Sequence, residues 1–320
     1  LLEGKQVIGI DNLNNYYDIN LKKERLKKTF QIAKNLPSEN WSFYKQDINK
    51  KKSFWKIFHK YLPETVINLA AQAGVRYSLE NPSIYFQTNL IGFSNVLELC
   101  REFQVKNLIY ASSSSVYGSN KKVPFQEKDC VNHPVSIYAS TKVCNELMAH
   151  SYSHLYKLPA TGLRFFTVYG PWGRPDMAPF IFMKAILNKQ PINLFNYGKM
   201  SRDFTYIDDI TSAILSCSKK PATPHHYFNE YDLNPSISKD PHRIFNVGNN
   251  NPVKLEDFVE CLEKITGLKA IKNFVEMQPG DVQTTYADIE LLESWIGYKP
   301  KTKLEEGLRK FFYWFKDFYH

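Results

Sequence analysis

Tyr138 and Lys142 stand four residues apart in SIYASTKVCNE (residues 136–146), downstream of a serine-rich stretch, NLIYASSSSVYG (residues 107–118). A phenol near its ordinary pKa of about 10 is a poor base at neutral pH. Four residues along a helix lead back to the same face, so Lys142 can set a positive charge beside the phenol of Tyr138 and lower its pKa. A hydroxyl from Ser113, Ser114 or Ser115 can orient a substrate alcohol against that phenolate. These residue types in this pattern suit proton removal from an alcohol. The hydride that leaves with it needs an acceptor, which points to a nicotinamide.

Spacing alone is weak, because a second tyrosine–lysine pair at the same interval, Tyr117 and Lys121, occurs in the chain. Context separates the two. Tyr117 runs into Gly118, Ser119 and Asn120, a loop signal. Tyr138 opens a helix-compatible stretch, residues 139–154, without Gly or Pro.

The elements that must position these residues alternate. Apolar strands are predicted at 5–10, 41–45, 65–70, 107–111 and 160–166, the first two leading into Asp11 and Asp47. Helices are predicted at 21–34, 51–60, 83–103 and 139–154. Such alternation implies a doubly wound α/β fold, a parallel sheet with helices on both faces. Beyond Gly170 turn residues become frequent, as in PWGRP (171–175). This divides the chain into a cofactor-binding domain at 1–170 and a mainly substrate-binding lobe at 171–320, with some segments returning to the first domain. Residues 219–242 read as a long loop, and 304–318 as an aromatic amphipathic helix of core or interface type.

The chain has 320 residues, 43% of them hydrophobic, and a net charge of +9. The lysines are scattered over helix ends and loops, with no basic arm or recognition helix, so a nucleic-acid partner is not expected. No apolar run approaches the roughly 20 residues that span a bilayer, so neither is a membrane. Five cysteines without a C-x-x-C pair fit a reducing cytoplasm better than disulfides or zinc. His225-His226 lacks partners at ligand spacing, and no metal is expected.

A dinucleotide-binding fold ordinarily opens with a strand and a glycine-rich turn into a helix, whose N-terminus meets the pyrophosphate. That turn is absent from this chain. Its first strand ends in Asp11, the position expected of a second strand. A β-turn-α unit of roughly 25 to 30 residues would then precede Leu1. Gly92, Gly118 and Gly170 do not compose such a turn. A truncated, inactive or merely NAD-binding module is the reading of another class.

Seven stretches recur in order over nearly the whole chain: DNLNNYYD from Asp11, LAAQAGVRYSLENP from Leu69, YASSSSVYG from Tyr110, TGLRFFTVYGPWGRPDM from Thr161, RDFTYIDD from Arg202, FNVGNN from Phe245 and MQPGDV from Met277. Together they resemble the extended short-chain dehydrogenases/reductases of the nucleotide-sugar epimerase type, most closely those acting at C4 of UDP-glucuronate. The resemblance implies a Rossmann-like fold, retained NAD, a UDP-sugar substrate and a homodimer. A UDP-glucuronate decarboxylase and another UDP-sugar 4-epimerase are the alternatives within the family. It makes Ser113, Tyr138 and Lys142 catalytic. Asp11, Asn12, Asp47, Ile48, Leu69, Ala70, Ala71, Gln72 and Asn89 would hold NAD, as would Tyr138 and Lys142. The Asp11 carboxylate would bind ribose hydroxyls and repel a 2′-phosphate. Arg76, Ser78, Ser114, Ser115, Thr167, Arg174, Arg202 and Asp281 would meet the substrate. Arg202 would take the diphosphate, and Arg76 and Arg174 the uronate carboxylate, since a guanidinium fork matches both. Gln278 stands where many members of the family place a further phosphate-binding arginine.

Overall fold

The computed structural model describes residues 1–36, 40–278 and 280–319; Pro279, within the 277–282 stretch, lies outside them. The first half runs β1 (Val7–Asp11), α1 (Ile19–Lys34), β2 (Trp41–Lys45), α2 (Lys51–Tyr61), β3 (Thr65–Asn68), α3 (Tyr77–Glu80), α4 (Pro82–Tyr85), α5 (Phe93–Glu102), β4 (Asn107–Ser113), α6 (Ile137–Tyr156) and β5 (Ala160–Phe165). The second half runs β6 (Thr167–Tyr169), α7 (Ala178–Leu187), β7 (Pro191–Leu194), β8 (Ser201–Tyr206), α8 (Ile207–Lys219), β9 (His242–Val247), β10 (Pro252–Lys254), α9 (Leu255–Thr266), β11 (Ile271–Phe274), α10 (Glu290–Ile296) and α11 (Leu304–Tyr319).

Strands β3, β4, β5 and β9 form a parallel sheet in that order, and β1 pairs with β2 in a separate parallel sheet. The single sheet expected from the alternation is thus divided in two, with no ladder between β1 and β3 among the described residues. In β4 every residue but Ala111 is buried, as suits a strand covered on both faces. Leu108 and Tyr110 pack with α2, α5 and α6, while Ile109 packs the other way with α8 and α10. The period-two alternation of a strand thus feeds two cores.

Helix α6 begins cleanly because Ser136 caps it, its hydroxyl accepting from the Ala139 N–H at 3.1 Å. The long helix expected over 83–103 is interrupted. Between α4 and α5, Phe86–Gly92 winds as a π-helix. At this widened turn the Asn89 carbonyl accepts a hydrogen bond from Asn145 Nδ2 at 2.6 Å, and its side chain reaches across to Gln72. Side-chain insertion of this kind is what opens a helical turn.

A third core joins α7, α9 and α11 to β6, β7 and β8. The aromatic helix α11 buries Leu308, Phe311 and Phe315 there, as its amphipathic pattern predicts. Between this lobe and the C-terminal ends of the parallel strands lies a cleft of about 1510 Å³. Open α/β sheets bind ligands at that edge. Among the described residues no helix is long and apolar enough to cross a membrane.

Candidate active site

Ser113 ends β4 and caps the short turn that follows, its Oγ accepting from the Ser115 N–H at 3.2 Å. This brings Ser113, Ser114 and Ser115 to the cleft wall opposite the first turn of α6, which supplies Tyr138 and Lys142. The Lys142 Nζ lies 5.9 Å from the Tyr138 ring centre and donates to the Ala111 carbonyl at 2.9 Å. Burial pushes the Lys142 ammonium down to about 8, against the pull of the Glu146 charge. Burial also raises the Tyr138 phenol, while the Ser113 hydroxyl and the Arg174 charge act to lower it. The sequence assigned that lowering to Lys142. In the protein alone desolvation prevails, and the opposing influences come from Ser113 and Arg174.

The end of β1 and the loops after β2 and β3 line the other arm of the cleft with Asp11, Asn12, Asp47, Ile48, Leu69, Ala70, Ala71 and Gln72. Asn12 Nδ2 donates to Asp47 at 3.0 Å, and the Asp11 carboxylate accepts from the Leu13 N–H at 2.6 Å. Asn89 does not line the cleft. It is buried, its amide bonded to both backbone groups of Gln72 and to Thr141 Oγ1 at 2.8–3.0 Å. Its work is to fasten the Gln72 loop to α6. An exposed carboxylate at a strand end, apolar Ile48 and Leu69 walls and a recessed ammonium form a donor set that fits a dinucleotide with free ribose hydroxyls.

On the substrate side, Thr167, Arg174, Arg202 and Asp281 line the cleft with Arg76. Arg76 Nη2 bonds Asp281 at 3.0 Å and its guanidinium covers the Phe195 ring at 4.3 Å. Burial pushes the Arg202 guanidinium down, Asp281 opposes, and the neighbouring Arg76 charge adds to the fall. Arg76 thus belongs with Arg202, whereas the charge of Arg174 is the one felt at Tyr138. Ser78 is fully buried and outside the cleft, because its hydroxyl closes the turn onto the Val75 carbonyl at 2.6 Å. Gln278 is also outside the cleft lining, its carbonyl accepting from the Asp281 N–H at 3.2 Å.

Three further features escaped the sequence reading. Tyr85, completely buried, donates to the Ala73 and Gly74 carbonyls at 2.8 and 2.6 Å and sets its ring edge-on to Tyr138 at 6.2 Å. Beneath Lys142, Glu146 takes Arg164 in a two-pronged ion pair at 2.9 and 2.8 Å, with Ser112 Oγ donating to the same carboxylate at 2.5 Å. The Arg164 guanidinium continues to the Tyr117 hydroxyl at 3.0 Å, which donates to Asn246. An arginine inside the apolar strand ATGLRF signals a buried partner, since such a charge is almost never buried unpaired. Third, Asp176 joins Tyr16 to Arg174 across the cleft mouth.

Residues 1–311 match the family model described as GDP-mannose 4,6 dehydratase. Protein CapI of Staphylococcus aureus is 51% identical over 317 residues, 99% of this chain and 93% of the relative. A probable UDP-glucuronate 4-epimerase of Rhizobium meliloti is 45% identical over 318 residues, 99% of this chain and 92% of the relative. Among solved structures, UDP-glucuronic acid 4-epimerase from Bacillus cereus, in complex with UDP-glucuronic acid and NAD, is similar with a TM-score of 0.85. It is 29% identical, over all of this chain and 94% of the other.

Proposed function

We propose that this chain, which belongs to the GDP-mannose 4,6 dehydratase family of extended short-chain dehydrogenases/reductases, converts UDP-glucuronate to UDP-galacturonate with retained NAD. Among the geometric observations, one carries the reading. A guanidinium, Arg174, lines the same cleft as Ser113, Tyr138 and Lys142 and lies near enough for its charge to act on the Tyr138 phenol, so a carboxylate and a reacting alcohol can be held together. A 4,6-dehydratase calls for an Asp-Glu acid/base pair beside the catalytic hydroxyl, and Ser114 and Ser115 occupy that place.

The Tyr138 phenolate removes the C4 hydroxyl proton, and Ser113 aligns that hydroxyl. NAD supplies reversible hydride acceptance at C4. Asp11, Ile48 and the 69–72 loop hold the adenosine end, and Lys142 stands by the reacting end. The 4-keto sugar turns while its nucleotide stays anchored by Arg202 and Asp281, so that the hydride would come back to the opposite face of C4 while Tyr138 returns its proton to the C4 oxygen. Binding energy far from C4 keeps both faces within reach. Net redox is zero.

The protein pairs as a homodimer and works in the cytoplasm. Supporting the first, Leu147 and Leu155 are 63% and 64% exposed two turns apart on α6, near exposed Phe86 and Ile91. Supporting the second, all five cysteines are free.

Proton NMR of UDP-glucuronate with NAD and the purified protein tests the activity. A UDP-galacturonate anomeric signal is expected. UDP-xylose or a UDP-4-keto-pentose instead would move the assignment to a decarboxylase, and no conversion would refute it.

A further inference from the structure

The loop that carries Arg174 is tied at three points to segments distant in the chain. Trp172, at φ +63°, packs on Trp314 and Phe318 of α11, with ring centres 5.3 and 5.2 Å apart. The Gly173 carbonyl accepts from Arg25 Nη2 at 3.3 Å. The third tie ends on Asp176, whose Oδ2 accepts from the Tyr16 hydroxyl at 3.1 Å while Oδ1 lies 3.3 Å from Arg174 Nε. One carboxylate therefore joins the segment that follows Asp11 to the arginine that faces Tyr138.

Tyr16 is itself fixed. Its ring lies 5.0 Å from that of Tyr77, and a Cβ at position 74 would sit 2.4 Å from its hydroxyl oxygen. Gly74, at φ +100°, leaves that space open. Burial and the Asp176 charge raise the Tyr16 phenol, so it remains a donor. Because Asp176 holds the Nε edge of Arg174, the terminal nitrogens are left for a ligand. Of these, Nη2 donates to Met177 Sδ at 3.1 Å.

We propose that Tyr16 and Asp176 are a positioning pair that holds Arg174 on the C6 carboxylate of the substrate and thereby suppresses its loss. The proposal rests on the UDP-glucuronate reading above. In the 4-keto intermediate the carboxylate is β to a ketone. Its loss breaks the C5–C6 bond, releases carbon dioxide, sends the electron pair into the C4 carbonyl as an enolate, and ends with a solvent proton on C5. The carboxylate charge vanishes on that path. A fixed guanidinium favours the charged starting state and so raises the barrier. A guanidinium free to swing gives up that selectivity.

The test compares wild type with Tyr16→Phe and Asp176→Asn. Two quantities are read: the ratio of UDP-4-keto-pentose to UDP-galacturonate by NMR, and equilibrium binding of UDP-glucuronate and UDP-glucose by calorimetry. Both variants should raise the ratio by roughly tenfold, the effect of one charge-assisted hydrogen bond. Both should weaken UDP-glucuronate by a similar factor and leave UDP-glucose unchanged. Asp176→Glu should recover part of each effect. An unchanged ratio, or equal weakening of both sugars, overturns the proposal and leaves the contact a loop anchor. Wild type that makes no UDP-galacturonate overturns the underlying reading as well, so the two failures are distinguishable.

Discussion

Replacing Glu146 by Gln should weaken the fold and narrow the pH range of activity by two separable routes. Glu146 neutralises Arg164, which has no exposed surface, through two bonds of 2.8–2.9 Å. Removing one partner of such a pair strands a buried charge, at a cost of about 3–5 kcal/mol. For a chain of this length that is a fall in melting temperature of roughly 4–7 °C. The second route runs through Lys142, whose pKa of about 8 is held up by Glu146 against burial. A nearby opposite charge is worth at least about one unit, so the variant lysine should titrate near or below about 7. At pH 7.5 its protonated fraction would drop from about three-quarters to about one-quarter. The alkaline limb of kcat/KM should move down by about one unit, because the phenolate of Tyr138 loses its cationic neighbour. The double variant Glu146→Met/Arg164→Met separates the routes. Replacing both members of a buried pair by apolar groups is often neutral, so stability should recover while the shifted limb remains. Calorimetry and pH–rate profiles read the two effects. A single variant with unchanged melting temperature and unchanged alkaline limb would refute the reasoning.

Lys142→Met should abolish turnover yet raise stability at pH 7. The folded pKa lies below the usual 10.5, so the penalty is full below about 8 and fades as pH rises from there to 10.5. The gain, on the order of 2 kcal/mol after loss of the Ala111 hydrogen bond, should shrink in melts at pH 10. Tyr85→Phe leaves the Ala73 and Gly74 carbonyls without their buried donor. A loss of about 1–3 kcal/mol and weaker NAD binding are expected, by denaturation and fluorescence titration. Leu147→Lys with Leu155→Lys should yield a monomer in light scattering, and an unchanged dimer mass would remove α6 from the interface.

What could be read from the sequence was local. The apolar runs gave β4 and β5, and the four-residue interval gave the Tyr138–Lys142 face of α6. The pairing of Arg76 with Asp281 follows from neither. Asn89 and Ser78 carry polar side chains of the right type in the right stretches. Their hydroxyl and amide groups close on backbone only 3 and 17 residues away, which composition does not disclose. Glu146 follows Lys142 by one further helical turn, and Arg164 interrupts an apolar strand. Those two signals together could have exposed the buried pair. The Tyr16–Asp176 bond, between residues 160 apart, depends on tertiary packing that no local pattern encodes.

The central claim is that C4 is oxidised and reduced again within one site. UDP-glucuronate deuterated at C4, mixed with unlabelled substrate carrying a distinct isotopic mark in the uracil ring, tests it most directly. The account predicts UDP-galacturonate that keeps its deuterium at C4, with no transfer to the marked molecules and none to water. Label lost to solvent, or scrambled between molecules, would contradict it.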